Sequence, residues 1–136
     1  MKKYFCFLIC AFLLLTGCGT KTDANIGKTV FDTEKEITGI EFYTTVNLRG
    51  TVVVPEEYLA EITEWLGTFK ITEKNTRGTW APGTGSTDVT IYYADGTTHS
   101  GSISNTTIDG VGYYIDGDNA PDFWPDLFNT EDSEDE

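Results

Sequence analysis

The chain has 136 residues, of which 22 are acidic and nine basic, for a formal net charge of −13. A chain of this length holds one domain, and so few Lys and Arg argue against nucleic acid, whose phosphates must be neutralised by cations. All three cysteines (Cys6, Cys10 and Cys18) lie in the first 18 residues, so the chain beyond Cys18 has no disulfide, no cysteine metal site and no cysteine nucleophile.

Met1-Lys2-Lys3 is a basic start, and Tyr4 to Leu15 is an apolar run of 12 residues ending before the small residues Thr16 and Gly17. A basic region, an apolar region and a small-residue cleavage site make a secretory signal. The run is short of the ~20 residues that a membrane-spanning helix needs. Leu15-Thr16-Gly17-Cys18 closely resembles the lipobox of bacterial lipoproteins. That resemblance implies a type II signal peptide over residues 1–17, a diacylglyceryl group on the sulfur of Cys18, and cleavage that leaves Cys18 as the first residue. Two acyl chains suffice for stable anchoring, at about 0.8 kcal/mol per buried CH₂. The expected partner through Cys18 is thus the lipid bilayer, and the expected address is the extracytoplasmic side of a cell membrane. The residues after Cys18 fit either type of bacterial envelope; their general character suggests a Gram-positive one.

Loss of Lys2 and Lys3 with the signal leaves seven basic against 22 acidic residues, a net charge of −15. Such a charge gives solubility and is expected to push the domain away from the anionic bilayer that the lipid ties it to. Residues 18–36 are polar, with isolated apolar residues, and read as a lipidated tether.

From Ile37 to Leu48 the chain alternates, with Ile40, Phe42, Thr44 and Val46 on one side and Glu41, Tyr43 and Thr45 on the other. This pattern predicts a half-buried strand, and the β-branched run Thr51–Val54 its hairpin partner. Pro55-Glu56-Glu57 opens a predicted helix over 55–66: Pro suits the first turn, the glutamates suit the positive end of the dipole, and Gly67 suits a C-cap. Its apolar stripe is Tyr58, Leu59, Ile62, Trp65, Leu66 and Phe69. Residues 68–74 predict a strand, and 75–87 a long loop. Val89, Ile91 and Tyr93 alternate with Thr90 and Tyr92, and Asp95-Gly96 and Asp109-Gly110 are hairpin turns. Three strands are expected around those turns, the last placing Val111, Tyr113 and Ile115 on one face. Residues 121–128 predict a short helix anchored by Phe123, Trp124, Leu127 and Phe128, and residues 130–136 an acidic disordered tail.

The expected fold class is therefore α+β: a single largely antiparallel sheet in the order β-β-α-β-loop-β-β-β over residues 37–129, one helix packed on one face, and a short C-terminal helix. The stretches PEEYLAEITEWL, YADG and IDGVGYYID give the chain a pattern similar to small ββαβββ-type lipoproteins of Gram-positive bacteria. That resemblance implies the fold and carries no reaction.

Chemistry is sparse. His99 is the sole histidine and reads as a strand residue. Asp116-Gly117-Asp118-Asn119 with Asp122 offers oxygens for Ca²⁺, but Ala120 and Pro121 stand where an EF-hand wants an oxygen ligand and Gly. Asp116, Asp118 and Asp122 are therefore weak metal candidates against a turn and helix cap. No cofactor and no catalytic residue is expected. The surplus is aromatic: Tyr43, Tyr92 and Tyr114 are expected on the sheet face away from the helix, and Trp80 in the long loop. Together they make a candidate binding surface for an envelope protein or a cell-wall glycan. The resulting expectation is an anchored interaction module without enzymatic activity. The alternatives are a Ca²⁺-dependent or enzymatic site around Asp116–Asp122, or an inhibitor or immunity-type lipoprotein that blocks a secreted enzyme, which the acidity fits.

Overall fold

A computed structural model describes residues 23–45, 50–77 and 86–128. The fold is α+β, with antiparallel strands, one main helix and a short 3₁₀ turn. Strands β1 (Ile37–Thr44) and β2 (Gly50–Val53) come first, then helix α1 (Glu56–Gly67) and β3 (Lys70–Lys74). After them come β4 (Thr87–Tyr93), β5 (Thr98–Ser102), β6 (Asn105–Ile108), β7 (Val111–Asp116) and the 3₁₀ turn Trp124–Phe128.

The strands form a four-stranded sheet in the order β2-β1-β4-β5 and a three-stranded sheet in the order β3-β7-β6. The chain passes from one to the other within two residues. Ile103 N–H donates to Thr87 in the first sheet, and Ser104 C=O accepts from Ile115 in the second. The strand expected to return after the Asp95-Gly96 turn is therefore broken at this crossing, where a polar run with little apolar pattern lets the backbone change sheets. Tight turns close both hairpins. At the first, Gly96 alone is left-handed, at φ +83°; at the second, Asp109 and Gly110 sit at φ +51° and +78°, as a two-residue hairpin with both central residues left-handed requires.

One core joins the two sheets. Ile40 and Phe42 of β1, Val89 and Ile91 of β4, and Ile62 and Leu66 of α1 are completely buried. Ile71 of β3 and Tyr113 and Ile115 of β7 belong to the same cluster. The helix begins one residue after Pro55, which is its N-cap, and ends through Gly67, with Thr68 as C-cap in right-handed conformation. Gly67 serves close packing instead of a left-handed cap: a Cβ there would lie 2.9 Å from Thr33 Oγ1, so the Thr33 side chain would have to shift. The Trp65 and Phe42 rings meet Trp124, each at 4.7 or 6.4 Å from its neighbours in the trio, and Tyr58 stacks on Phe123 at 4.1 Å. The C-terminal turn therefore closes the helix side of the sheet, while the opposite face is left uncovered among the described residues.

The tether expected over residues 18–36 is shorter than its composition indicates, because residues 23–36 belong to the fold. Gly27 and Val30 N–H donate to Ile71 and Phe69, Ile71 N–H donates to Lys28, and Thr29 bridges Lys70 in antiparallel sense. This segment is an edge strand in all but length. Phe31 comes next and enters the core, 3% exposed, against Phe69 and His99 at 5.7 and 5.6 Å. Upstream, the Tyr113 hydroxyl donates to Asp23 Oδ2 at 2.9 Å and accepts from Asn25 Nδ2 at 3.1 Å. The Asn25 N–H and the tyrosine together hold the Asp23 carboxyl below its ordinary pKa, the backbone bond contributing most. Residues 18–22 and the acidic tail 130–136 lie outside the described residues.

Candidate interaction surface

Alternation along β1, β2, β4 and β5 sends every second residue to the uncovered face. The registers set these residues in rows. One row runs Thr51, Tyr43, Asp88, Ser102; the next runs Val53, Glu41, Thr90, Ser100; the last runs Gly39, Tyr92, Thr98. Tyr43 is 46% exposed, Val53 63% and Tyr92 37%. The surface is a platform of hydroxyls and two carboxylates, with aromatic rings at two corners and an apolar valine on the edge strand.

Tyr92 has no side chain opposite it on β1. Its ring lies over Gly39, where a Cβ would sit 3.7 Å away, and its hydroxyl donates to Glu41 Oε2 at 2.9 Å. That bond, then partial burial and the Glu41 charge, raises the Tyr92 pKa above the ordinary phenol value. Thr90 and Ser100 hydroxyls bond each other across the strands at 3.1 Å. Tyr43 pairs with Asp88, four residues from Tyr92, so the two rings stand about 13 Å apart along the strand direction. They frame the row of Glu41 and Thr90 rather than touching.

The expected partner of these two, Tyr114, is also exposed, at 39%, but it belongs to β7 in the three-stranded sheet, between Glu73 and Asn105. The three tyrosines all point outward, yet they do not form one stripe. Their orientation comes from alternation; their separation comes from the sheet crossing at Ile103-Ser104. Trp80 and Cys18 lie outside the described residues. Val53 is a surface residue that the sequence pattern did not single out. Its signal was the parity of the 51–54 run, which places Val52 and Val53 on opposite faces.

Asp116 and Asp118 line one shallow cleft of about 440 Å³ with Gly67, Thr68, Lys70 and Thr72; Asp122 is not part of it. Asp116 Oδ1 accepts from Gly117 N–H at 3.0 Å. The Asp118 backbone serves the helix end instead of a ligand: its N–H donates to Thr68 Oγ1 and its C=O accepts from Trp65 Nε1, both at 2.9 Å. Among the described residues no group of three or more His, Cys, Asp or Glu is arranged to hold a metal ion. Lys70, paired in register with Asp116, brings a positive charge to the same cleft. His99 turns inward against Phe31, while Ser100 faces outward to Thr90, so the strand holds these two on opposite sides. A second cleft of about 500 Å³ is lined by residues 29–34 and Gly67.

No protein-family model, curated protein or solved structure matches the chain.

Proposed function

We propose that this chain is a lipid-anchored extracytoplasmic lipoprotein whose domain is an interaction module, with the outer face of β2-β1-β4-β5 as its contact surface for an envelope protein. The observation that carries this reading is the uncovered platform with Tyr43, Tyr92 and Val53 exposed on it. Solvent-exposed tyrosines around hydroxyls are the side chains that protein interfaces favour, since they bury much area with few rotatable bonds. The free edge of β2 beside Val53 adds backbone groups that a partner strand can pair with. The lipobox at residues 15–18 supports the anchor; among the described residues no helix is long and apolar enough to cross a membrane.

The test is a photo-crosslinker at Val53 in the full chain, displayed on cells. One adduct of defined mass is expected, which disappears in the Tyr43→Ala/Tyr92→Ala double variant while the protein keeps its melting temperature. A crosslinker at Glu64 on the solvent side of α1 serves as reference. The same adducts from both positions, or an adduct that survives the double variant, remove this face as the contact surface. Sedimentation with purified cell wall in place of crosslinking identifies a glycan partner.

A further inference from the structure

We propose that the end of the domain built from residues 27–30 and β3 docks on an anionic lipid surface, so that the domain stands on the bilayer with this end down. The inference rests on the proposed acylation of Cys18 and gives that anchor an orientation.

The first observation is the distribution of charge. The described residues contain five cations, and four of them (Lys28, Lys70, Lys74 and Arg77) fall on the annexed edge segment, on β3 or directly after it. The fifth, Lys35, lies elsewhere, 3.6 Å from Asp95. The acids at this end are Asp23, Glu73, Asp116 and Asp118, which makes four cations against four carboxylates. The remaining described residues hold 13 acids against Lys35 alone. Among the described residues, one end is therefore electrically balanced and the rest strongly negative. Within the balanced end Lys70, Lys74 and Arg77 are exposed and carry their charge on long stems that reach a surface, while Lys28 Nζ is held by Asn25 Oδ1 at 2.9 Å; of the carboxylates, Asp23 is tied to Tyr113 and Asp116 to the backbone of Gly117.

The second observation is reach. Asp23 is pinned to Tyr113 of β7, and Cys18 is five residues upstream. At no more than about 3.6 Å per residue, the backbone of the acylated residue lies within about 18 Å of Asp23. The intervening residues are Gly19, Thr20, Lys21 and Thr22, which add one cation and no acid. A chain this short confines the domain, and the side it confines against the headgroups is the side where the four cations are.

Screening then decides the sign of the interaction. At physiological salt, charges further than about 8 Å from the headgroups are largely screened, so the net charge of the whole domain is the wrong quantity. The bilayer responds to the end it touches. Any other side brings unbalanced carboxylates to an anionic surface, and only the edge of residues 27–30 and β3 does not.

The experiment uses the full chain, expressed with its signal and reconstituted in vesicles of phosphatidylcholine with or without phosphatidylglycerol. Cys6 and Cys10 leave with the signal and Cys18 is capped by lipid, so one introduced cysteine is the sole thiol. An environment-sensitive dye is placed at Thr29→Cys on the docking edge or at Thr51→Cys on β2, the edge strand of the other sheet. Brominated lipid is expected to quench the dye at Thr29→Cys and not at Thr51→Cys in the anionic vesicles. The quenching at Thr29→Cys is expected to be lost at high salt and in Lys70→Ser/Arg77→Ser. Equal quenching at both positions, or quenching indifferent to anionic lipid, in protein that floats with the vesicles overturns the orientation alone. Protein that does not float and shows no added lipid mass at Cys18 overturns the anchor and the orientation with it.

Discussion

The two faces of the β1–β4 pair are made by the same strands and the same hydrogen bonds, yet they have opposite characters. Ile40, Phe42, Val89 and Ile91 face the core and are wholly buried, while Glu41, Tyr43, Thr90 and Tyr92 face outward, where Tyr92 bonds Glu41 and Thr90 bonds Ser100. Burial stabilises the inner face at roughly 25 cal/mol per Å² of apolar area. The outer face is held by single hydrogen bonds in solvent, which contribute far less. The division has a functional meaning: residues on the outer face can change with little effect on the fold, which leaves them free to serve a partner.

Phe42→Ala breaks the inner face most severely. Its ring is central to the Trp65, Trp124 and Phe128 cluster, and removal leaves a cavity walled by rigid aromatics. A loss of about 3–5 kcal/mol is expected in chemical denaturation, enough to exhaust much of the stability of a domain this small.

Phe31→Ala is expected to cost less, although Phe31 is nearly as buried. Local opening of residues 23–36, with the sheets and α1 still packed, is expected to cap the loss at the free energy of that opening. Hydrogen exchange should show the N–H groups of Gly27, Val30 and Ile71 deprotected in this variant, and those of β1 and β4 unchanged. Concerted loss of protection in β1 would instead show that the segment is inseparable from the core.

The smallest effects come from titration. Asp23 and Asp95 have lowered pKa values, Asp23 through the Asn25 N–H and Tyr113, Asp95 through the Thr97 hydroxyl and N–H. Their carboxylates therefore favour the folded state above the usual carboxylate range, and that contribution is lost as pH falls through it. Tyr92 and Tyr93 have raised pKa values, through the Glu41 bond and through burial respectively. Their contribution is complete below the ordinary phenol pKa near 10 and is lost as pH rises through their own values. Melting temperature against pH should fall at both ends, with a smaller acid-side slope in Asp23→Asn and a smaller alkaline-side slope in Tyr92→Phe. Unchanged slopes would mean that these bonds do not persist in solution.

The inner face was legible in the sequence because period two is a short-range signal. Ile40 and Phe42, and Val89, Ile91 and Tyr93, announce their strand and its buried side without knowledge of any neighbour. The helix stripe of Ile62, Trp65 and Leu66 is legible for the same reason at period 3.6. The edge segment was not, because Ile26, Val30 and Phe31 obey no period and the segment is attached by backbone bonds that any residue can make. The outward direction of the tyrosines was readable, and their neighbours were not. Which strands adjoin depends on the crossing at Ile103-Ser104, in a stretch where Thr, Ser, Gly and Asn encode neither face strongly. The pairing of Trp124 with Phe42, 82 positions apart in the chain, was equally out of reach of local pattern.

The point at which the N-terminal segment enters the fold also decides where force goes. If the chain is acylated at Cys18 as proposed and a partner on the tyrosine platform is pulled away from the membrane, the tension runs from the anchor along the chain to Asp23. There it meets Tyr113 on β7, the middle strand of the three-stranded sheet, and then the backbone bonds of residues 27–30 to β3. Load is shared between an interior strand and an edge before it reaches Phe31. A first yield would release about a dozen residues as slack and lengthen the leash, leaving the platform and its partner intact.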